Sequence, residues 1–309
     1  MGRISTLRGA RVAGSALSPY RILLSVHPVL FHLGSVLIPS YGVMTAIGVL
    51  LALGLAQRTA RIVGVDPAQM WNLCVVSLFA ALVGERVLLI VVNWSVLRLH
   101  PAWTLGLAMV HHPLVASAGA AVGLATASCF ARWRRMPWWS TADALAAPVA
   151  LGLACEQVGA LLAGSGYGTD ASAKLPWAVT YTSVMAVRWS GTPIGVPLHP
   201  VQAYAALAFF TLAVFLWIWL PARRQPGDVA GMFLIGLGAA IYFTEIWRDP
   251  EGRGLVLAGA LDGPQIAAVG LVILGGFLLR GKKRSAEAFP FPAADGEAQK
   301  HSDGERGQI

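Results

Sequence analysis

Arg86 lies inside a long apolar run, directly after Gly84 and Glu85, at a depth where a charge costs about 2.5 to 3.5 kcal/mol on insertion scales. It needs either a carboxylate that locks two helices together or an anion in a wet cavity, and the phosphate of a lipid is the anion a membrane supplies. Glu85 projects about 100° away on a helix, so the two neighbours need not pair. Glu156 and Gln157 interrupt a second apolar run, and Glu245 a third, three residues before Arg248. Carboxylates in such positions are functional candidates by default, although Glu245 has an arginine close enough for a plain structural bridge. Between these runs stands Gly164-Ser165-Gly166-Tyr167-Gly168, a segment whose backbone can approach a ligand closely, and the loop that follows ends on His199, Pro200, Gln202 and Tyr204. His111 and His112 have no third ligand at metal spacing and read as loop residues. Cys74, Cys129 and Cys155 have neither CxxC spacing nor nearby histidines and read as small packing residues.

The elements that must hold these groups are transmembrane helices. The chain of 309 residues is 56% hydrophobic and 12% charged, against roughly a quarter charged in a soluble domain. Crossing the hydrocarbon takes about 20 apolar residues. About seven stretches approach that length, near 41–57, 72–93, 114–131, 141–163, 200–220, 229–247 and 264–279. The segment 20–40 is also apolar but is broken by His27, Pro28, His32, Gly34 and Pro39. It reads as a helix lying at the membrane interface, with an eighth span as the rival.

The net charge of +8 suggests no nucleic-acid partner, because the basic residues cluster between spans. Alternate loops carry eleven of them (Arg58, Arg61, Arg132, Arg134, Arg135, Arg223, Arg224, Arg280, Lys282, Lys283, Arg284) against five (Arg98, Lys174, Arg188, Arg248, Arg253). The positive-inside rule puts the richer set and the C-terminus in the cytoplasm and, with seven spans, the N-terminus outside. Arg3, Arg8, Arg11 and Arg21 weigh against that placement. No apolar core follows the first basic residues, so no cleaved signal peptide is expected. Trp71, Trp94, Trp138, Trp139, Trp177 and Trp247 stand at the expected span ends as interfacial anchors. The organisation expected is an external segment over 1–40, a helical membrane domain over 41–280 and a disordered cytoplasmic tail over 281–309. A transporter would show similar halves or matching broken helices, and no such repeat is visible.

These residues resemble the bacterial prolipoprotein diacylglyceryl transferases. Val26-His27-Pro28-Val29-Leu30-Phe31 and Ser40-Tyr41-Gly42-Val43-Met44 are similar to the family's opening His-Pro and Tyr-Gly-x-Met segments. Gly84-Glu85-Arg86 resembles its Gly-x-Arg, Asp143 to Pro148 its Asp-x-x-Ala-Pro, and His199-Pro200-Val201-Gln202-Ala203-Tyr204 its His-Pro-x-Gln-x-Tyr. The glycine-rich sixth span matches through Gly236, Gly238, Glu245 and Arg248. The resemblance implies a seven-helix plasma-membrane enzyme that moves the diacylglyceryl group of phosphatidylglycerol onto the lipobox cysteine of a preprolipoprotein, without metal or organic cofactor. It also implies Tyr41, His199, Tyr204 and Glu245 as catalytic residues. Arg86, Gln157, Gly159, Gly164, Gly168, Gln202 and Arg248 then hold the lipid and its phosphate.

The sequence departs from the family pattern at Ala118, which stands for a histidine, and at Gln157, which stands for an arginine. Ala160, Ala163 and Ser165 replace two asparagines and a glutamate, and Leu237 and Ile241 a tyrosine and an arginine. Two readings follow: a divergent transferase, or a catalytically degenerate paralogue that binds phospholipid or lipoprotein precursors or modulates an intact enzyme.

Overall fold

The computed structural model describes residues 28–33, 36–98, 113–172, 174–249, 255–256 and 261–280. His27, His111, His112, Arg253, most of the expected N-terminal segment and all of the expected C-terminal tail lie outside these residues. In chain order the elements are β1 (Val29–Leu33), β2 (Val36–Pro39), α1 (Ser40–Val63), α2 (Pro67–Val92), α3 (Trp94–Leu97), α4 (Pro113–Trp133), α5 (Trp138–Ala163), β3 (Val179–Thr180), α6 (Val184–Ser190), β4 (Pro197–Leu198), α7 (Val201–Trp219), α8 (Asp228–Glu245), β5 (Leu255–Val256), β6 (Leu261–Asp262) and α9 (Gly263–Arg280). The strands form three separate two-stranded pairs.

Among the described residues six helices, α1, α2, α5, α7 with its following turn, α8 and α9, are long and apolar enough to cross a membrane. The remaining expected span is also helical, as the 21-residue α4. Leu50, Phe79, Leu124, Leu207, Ile218 and Phe277 point outward, each at least 66% exposed. Water would penalise such a surface, whereas lipid tails accept it. The molecule is an all-α integral membrane protein.

Two expectations are corrected. The described part of the N-terminal segment is a β-hairpin, not an interfacial helix: β1 pairs antiparallel with β2. Val29, Phe31, Val36 and Ile38 favour extended backbone, and the hairpin base is tied to α1 by the Ser40 N–H donating to the Pro28 carbonyl at 2.9 Å. The first span runs past 57 to Val63, because Arg58 and Arg61 extend from its end without breaking it. Gly64, at φ 77°, then ends it with its N–H donated to the carbonyls of Ala60 and Arg61.

Helices that touch do so through small residues, as in membrane bundles generally. α1 packs on α5, α2 on α4, α5 on α7, and α8 on α9. A Cβ added at Gly48 would stand 2.7 Å from Cys155 Cβ, and one at Gly159 would come within 3.2 Å of the Tyr41 carbonyl and 3.0 Å of Met44 Cβ, so glycines let α1 and α5 approach closely.

At the other end of α5 the fully buried Asp143 accepts hydrogen bonds from the backbone N–H groups of Gly227 (2.7 Å) and Ala230 (2.8 Å), and pairs with Arg223 at 3.0 Å. These N–H groups are among those left without partners at the start of α8, so a carboxylate from a different helix does the work of an N-cap. Asp143→Ala removes that cap and leaves Arg223 without its carboxylate, and is expected to destabilise the protein by about 3 kcal/mol. Equilibrium unfolding in mixed micelles measures this.

Candidate active site

Four helix ends meet at the end of the bundle opposite Asp143. α1 starts there with Tyr41, α5 carries Glu156 and Gln157 about two turns before its end, α7 starts just after His199, and α8 finishes with Glu245, followed by Arg248. The Tyr41 hydroxyl donates to Glu156 Oε1 at 3.0 Å. Gln157 Nε2 donates to the other oxygen of the same carboxylate. Arg248 Nη2 in turn donates to Gln157 Oε1 at 3.5 Å, and Arg248 Nε lies 3.3 Å from Glu245 Oε1. The result is one polar chain, Tyr41–Glu156–Gln157–Arg248–Glu245, that links three helices. Glu85 lies half-buried on α2. Arg86, half-buried one residue further on, is engaged in an interaction of its own.

The loop after α5 lies over this chain. Gly164, at φ 80°, caps α5 by donating its N–H to Ala160 and Leu161, and its carbonyl accepts from the buried Thr192 hydroxyl at 2.7 Å. Gly168 pairs through its backbone with Arg248, and a Cβ there would collide with the carbonyls of His199 and Trp247. The neighbouring bonds, Thr169 N–H to the Trp247 carbonyl (2.8 Å) and His199 N–H to the Thr169 carbonyl (3.0 Å), stitch three segments into a short strand-like sandwich. Gly166 faces the Arg248 guanidinium with only 3.2 Å between Nη1 and the place a Cβ would occupy.

Gln202 is fully buried and donates from Nε2 to the Ser165 carbonyl at 2.8 Å and to the Tyr181 hydroxyl at 3.4 Å. Burial pushes the Tyr181 hydroxyl up to about 12. Tyr204 accepts a hydrogen bond from Trp177 Nε1 at 2.8 Å and stacks edge-on against Trp247 and His199, with centroids 6.2 and 6.5 Å away. His199 Nδ1 is buried and makes no hydrogen bond among the described residues.

The structure therefore brings Tyr41, Gln157, Glu245 and Arg248 into one connected unit. It sets Gly164, Gly168, Gln202, His199 and Tyr204 in a layer above them, with Gly159 at the α1–α5 contact beneath. Glu156, which sequence reasoning left outside the lipid and phosphate set, is the hub of the polar chain. Its signal was visible as a carboxylate in an apolar run, but its partner Tyr41 is 115 residues away. Trp177, read as an interfacial anchor, carries a site hydrogen bond as well. Tyr181 and Thr192 gave no signal, since a loop tyrosine and threonine are ordinary. Cys155 packs against Gly48. Among the described residues no group of three His, Cys, Asp or Glu side chains is arranged to hold a metal ion.

Gly168→Ala should open the loop and lower the unfolding temperature, whereas Gly276→Ala, at a helical position with open space around it, should not; limited proteolysis and thermal unfolding together check this. Tyr181 adds a pH signature. Below its ordinary value near 10 the hydroxyl is neutral both folded and unfolded, and its burial contributes in full. As pH rises from 10 toward about 12 the unfolded chain ionises first. Stability then falls by roughly 2 to 3 kcal/mol on this account, a decline that Tyr181→Phe should lack in alkaline unfolding curves.

A family model described as prolipoprotein diacylglyceryl transferase matches residues 28–280. The chain is 31% identical over 271 residues to the phosphatidylglycerol–prolipoprotein diacylglyceryl transferase of Photobacterium profundum, covering 82% of this chain and 92% of that protein. It is 28% identical over 263 residues to the Vibrio cholerae protein of the same name, covering 81% and 89%. With the Clostridium perfringens protein named phosphatidylglycerol–prolipoprotein diacylglyceryl transferase 2 the identity is 25% over 258 residues, covering 80% and 94%. With the match running from the hairpin through α9, and the site at its centre, this chain belongs to the prolipoprotein diacylglyceryl transferase family.

Proposed function

We propose that this chain transfers the diacylglyceryl group of phosphatidylglycerol to the thiol of the lipobox cysteine in preprolipoproteins, at the outer face of the bacterial inner membrane. In that reaction a C–S bond forms between the cysteine sulfur and the glycerol carbon, and the C–O bond to the phosphate breaks. Glycerol phosphate leaves with the electron pair of that bond, and the thiol proton passes to an acceptor in the site. The helical domain over 41–280 carries the reaction, with the N-terminus outside and the tail over 281–309 in the cytoplasm.

The observation that carries the reading is the setting of Arg248. Its guanidinium is held by Glu245 and Gln157 and covered on the Nη1 side by glycine rather than by a side chain. A phosphate can therefore approach close, and a fixed cation at a leaving oxyanion acts without reorganisation. Gln157 can turn its amide N–H groups toward the same phosphate. His199, with Nδ1 buried and unbonded among the described residues, takes the thiol proton, since the thiolate is the nucleophile. Tyr204, stacked on it, keeps the ring in place.

A second reading, a paralogue that binds the lipid or the precursor without turnover, is favoured by one observation. Glu245 already neutralises Arg248 in part, while Ala118 and Ile241 offer neither a base nor a cation. Expression in a bacterium depleted of its own transferase separates the two. The transferase reading predicts lipidation of a lipobox reporter and restored growth, with Arg248→Gln lowering lipidation about 10²-fold. Correct insertion without lipidation, and with phospholipid still bound, supports the second reading.

A further inference from the structure

At the end of the bundle opposite the site, a cavity of about 250 Å³ opens between the start of α2 and the end of α4, lined by Asn72, Val75, Val76, Phe130, Trp133 and Arg134. Its lining is mostly apolar, with Asn72 and Arg134 as its polar residues. Asn72 and Arg134 form the rim, while Val75 and Val76 lead along the exposed face of α2 toward Phe79, which is 69% exposed. Phe130 meets Trp133 edge-on at a centroid distance of 6.2 Å, which holds the outward-facing indole at the mouth.

The rim is built by a fixed turn. Arg134 N–H donates to the Phe130 carbonyl at 2.9 Å, Arg135 N–H to Arg132 at 3.2 Å and Met136 N–H to Ala131 at 2.8 Å. The last two of these bonds close the helix C-terminus in a two-bond cap. Arg135 occupies the left-handed region at φ 53°, where a non-glycine residue is strained, so the turn holds its shape at a cost. Arg134 lines the cavity, its sequence neighbours Arg132 and Arg135 are exposed, and among the described residues no carboxylate pairs with Arg134.

We propose that this cavity binds an anionic phospholipid of the leaflet at the basic end of the bundle. Its phosphate sits on Arg134, its glycerol backbone against the Asn72 amide, and one acyl chain along Val75 and Val76. Charge complementarity selects the occupant: a zwitterionic lipid would bring its own cation to Arg134, on a turn that also carries Arg132 and Arg135. The bound lipid bridges α2 and α4, the pair whose far end carries Glu85 and Arg86. The site is separate from the polar chain around Arg248 and stands whether or not the chain is a transferase.

The test is native mass spectrometry of the purified full-length protein, titrated with phosphatidic acid and, separately, with phosphatidylcholine. Phosphatidic acid has the charge of the proposed ligand and lacks the glycerol headgroup. The wild type should bind it about fivefold more tightly than phosphatidylcholine, the size expected of one basic residue meeting an anionic lipid. To silence the Arg248 site the comparison is made in the Arg248→Gln background, where the preference should persist, Arg134→Gln should remove it and Arg134→Lys should keep it. Equal binding of the two lipids by the wild type would overturn the proposal. So would a preference that disappears with Arg248→Gln alone, or one that survives Arg134→Gln in the Arg248→Gln background.

Discussion

Within a bilayer no water is available to satisfy a polar group, so every such group must find its partner inside the protein. The chain from Tyr41 through Glu156, Gln157 and Arg248 to Glu245 answers that constraint. Each member is paired with the next, and no two of the helices α1, α5 and α8 can separate without exposing a carboxylate or a guanidinium to hydrocarbon. Because Arg248 is also the residue on which the Gly164–Gly168 loop is laid, the same chain that holds the bundle holds the roof of the site.

α8 is fixed at both ends by carboxylates and their partners. At its start, Asp143 from α5 takes the unpaired N–H groups of Gly227 and Ala230 and binds Arg223. At its finish, Glu245 and Arg248 join it to Gln157, also on α5. α5 thus acts as a spine with a polar clamp at each end and close glycine contacts to α1 between them. A rigid frame of this kind suits a site that must hold a cation at a set place, because a preorganised charge acts on a developing oxyanion without moving.

The membrane spans were legible because length and hydropathy act locally, and no folding partner changes the requirement for about 20 apolar residues. Their ends were less so: the first helix outruns its expected boundary by reaching over Arg58 and Arg61 to Gly64. The hairpin at 29–39 was misread because a short apolar run with prolines fits a strand or a helix equally well. Asp143 was readable only as part of a motif, since its role as a cap for α8 depends on a backbone 84 residues away. The same distance problem hid Glu156, Trp177 and Tyr181: their residue types were in view, and their partners were not. Of the expected site residues, those in the polar chain and its roof converge because they sit at the ends of helices that run in alternating directions, a consequence of topology that a list of spans contains.

The claim that the polar chain is a single connected unit is tested most directly by a double-mutant cycle between its ends. Tyr41→Phe, Arg248→Gln and the pair together would be compared with the wild type by equilibrium unfolding in mixed micelles. The account predicts that the two losses fail to add by more than about 0.5 kcal/mol, the mark of residues coupled through a shared network. Additivity within about 0.3 kcal/mol would contradict it, and would make Tyr41–Glu156 and Arg248–Glu245 two independent contacts.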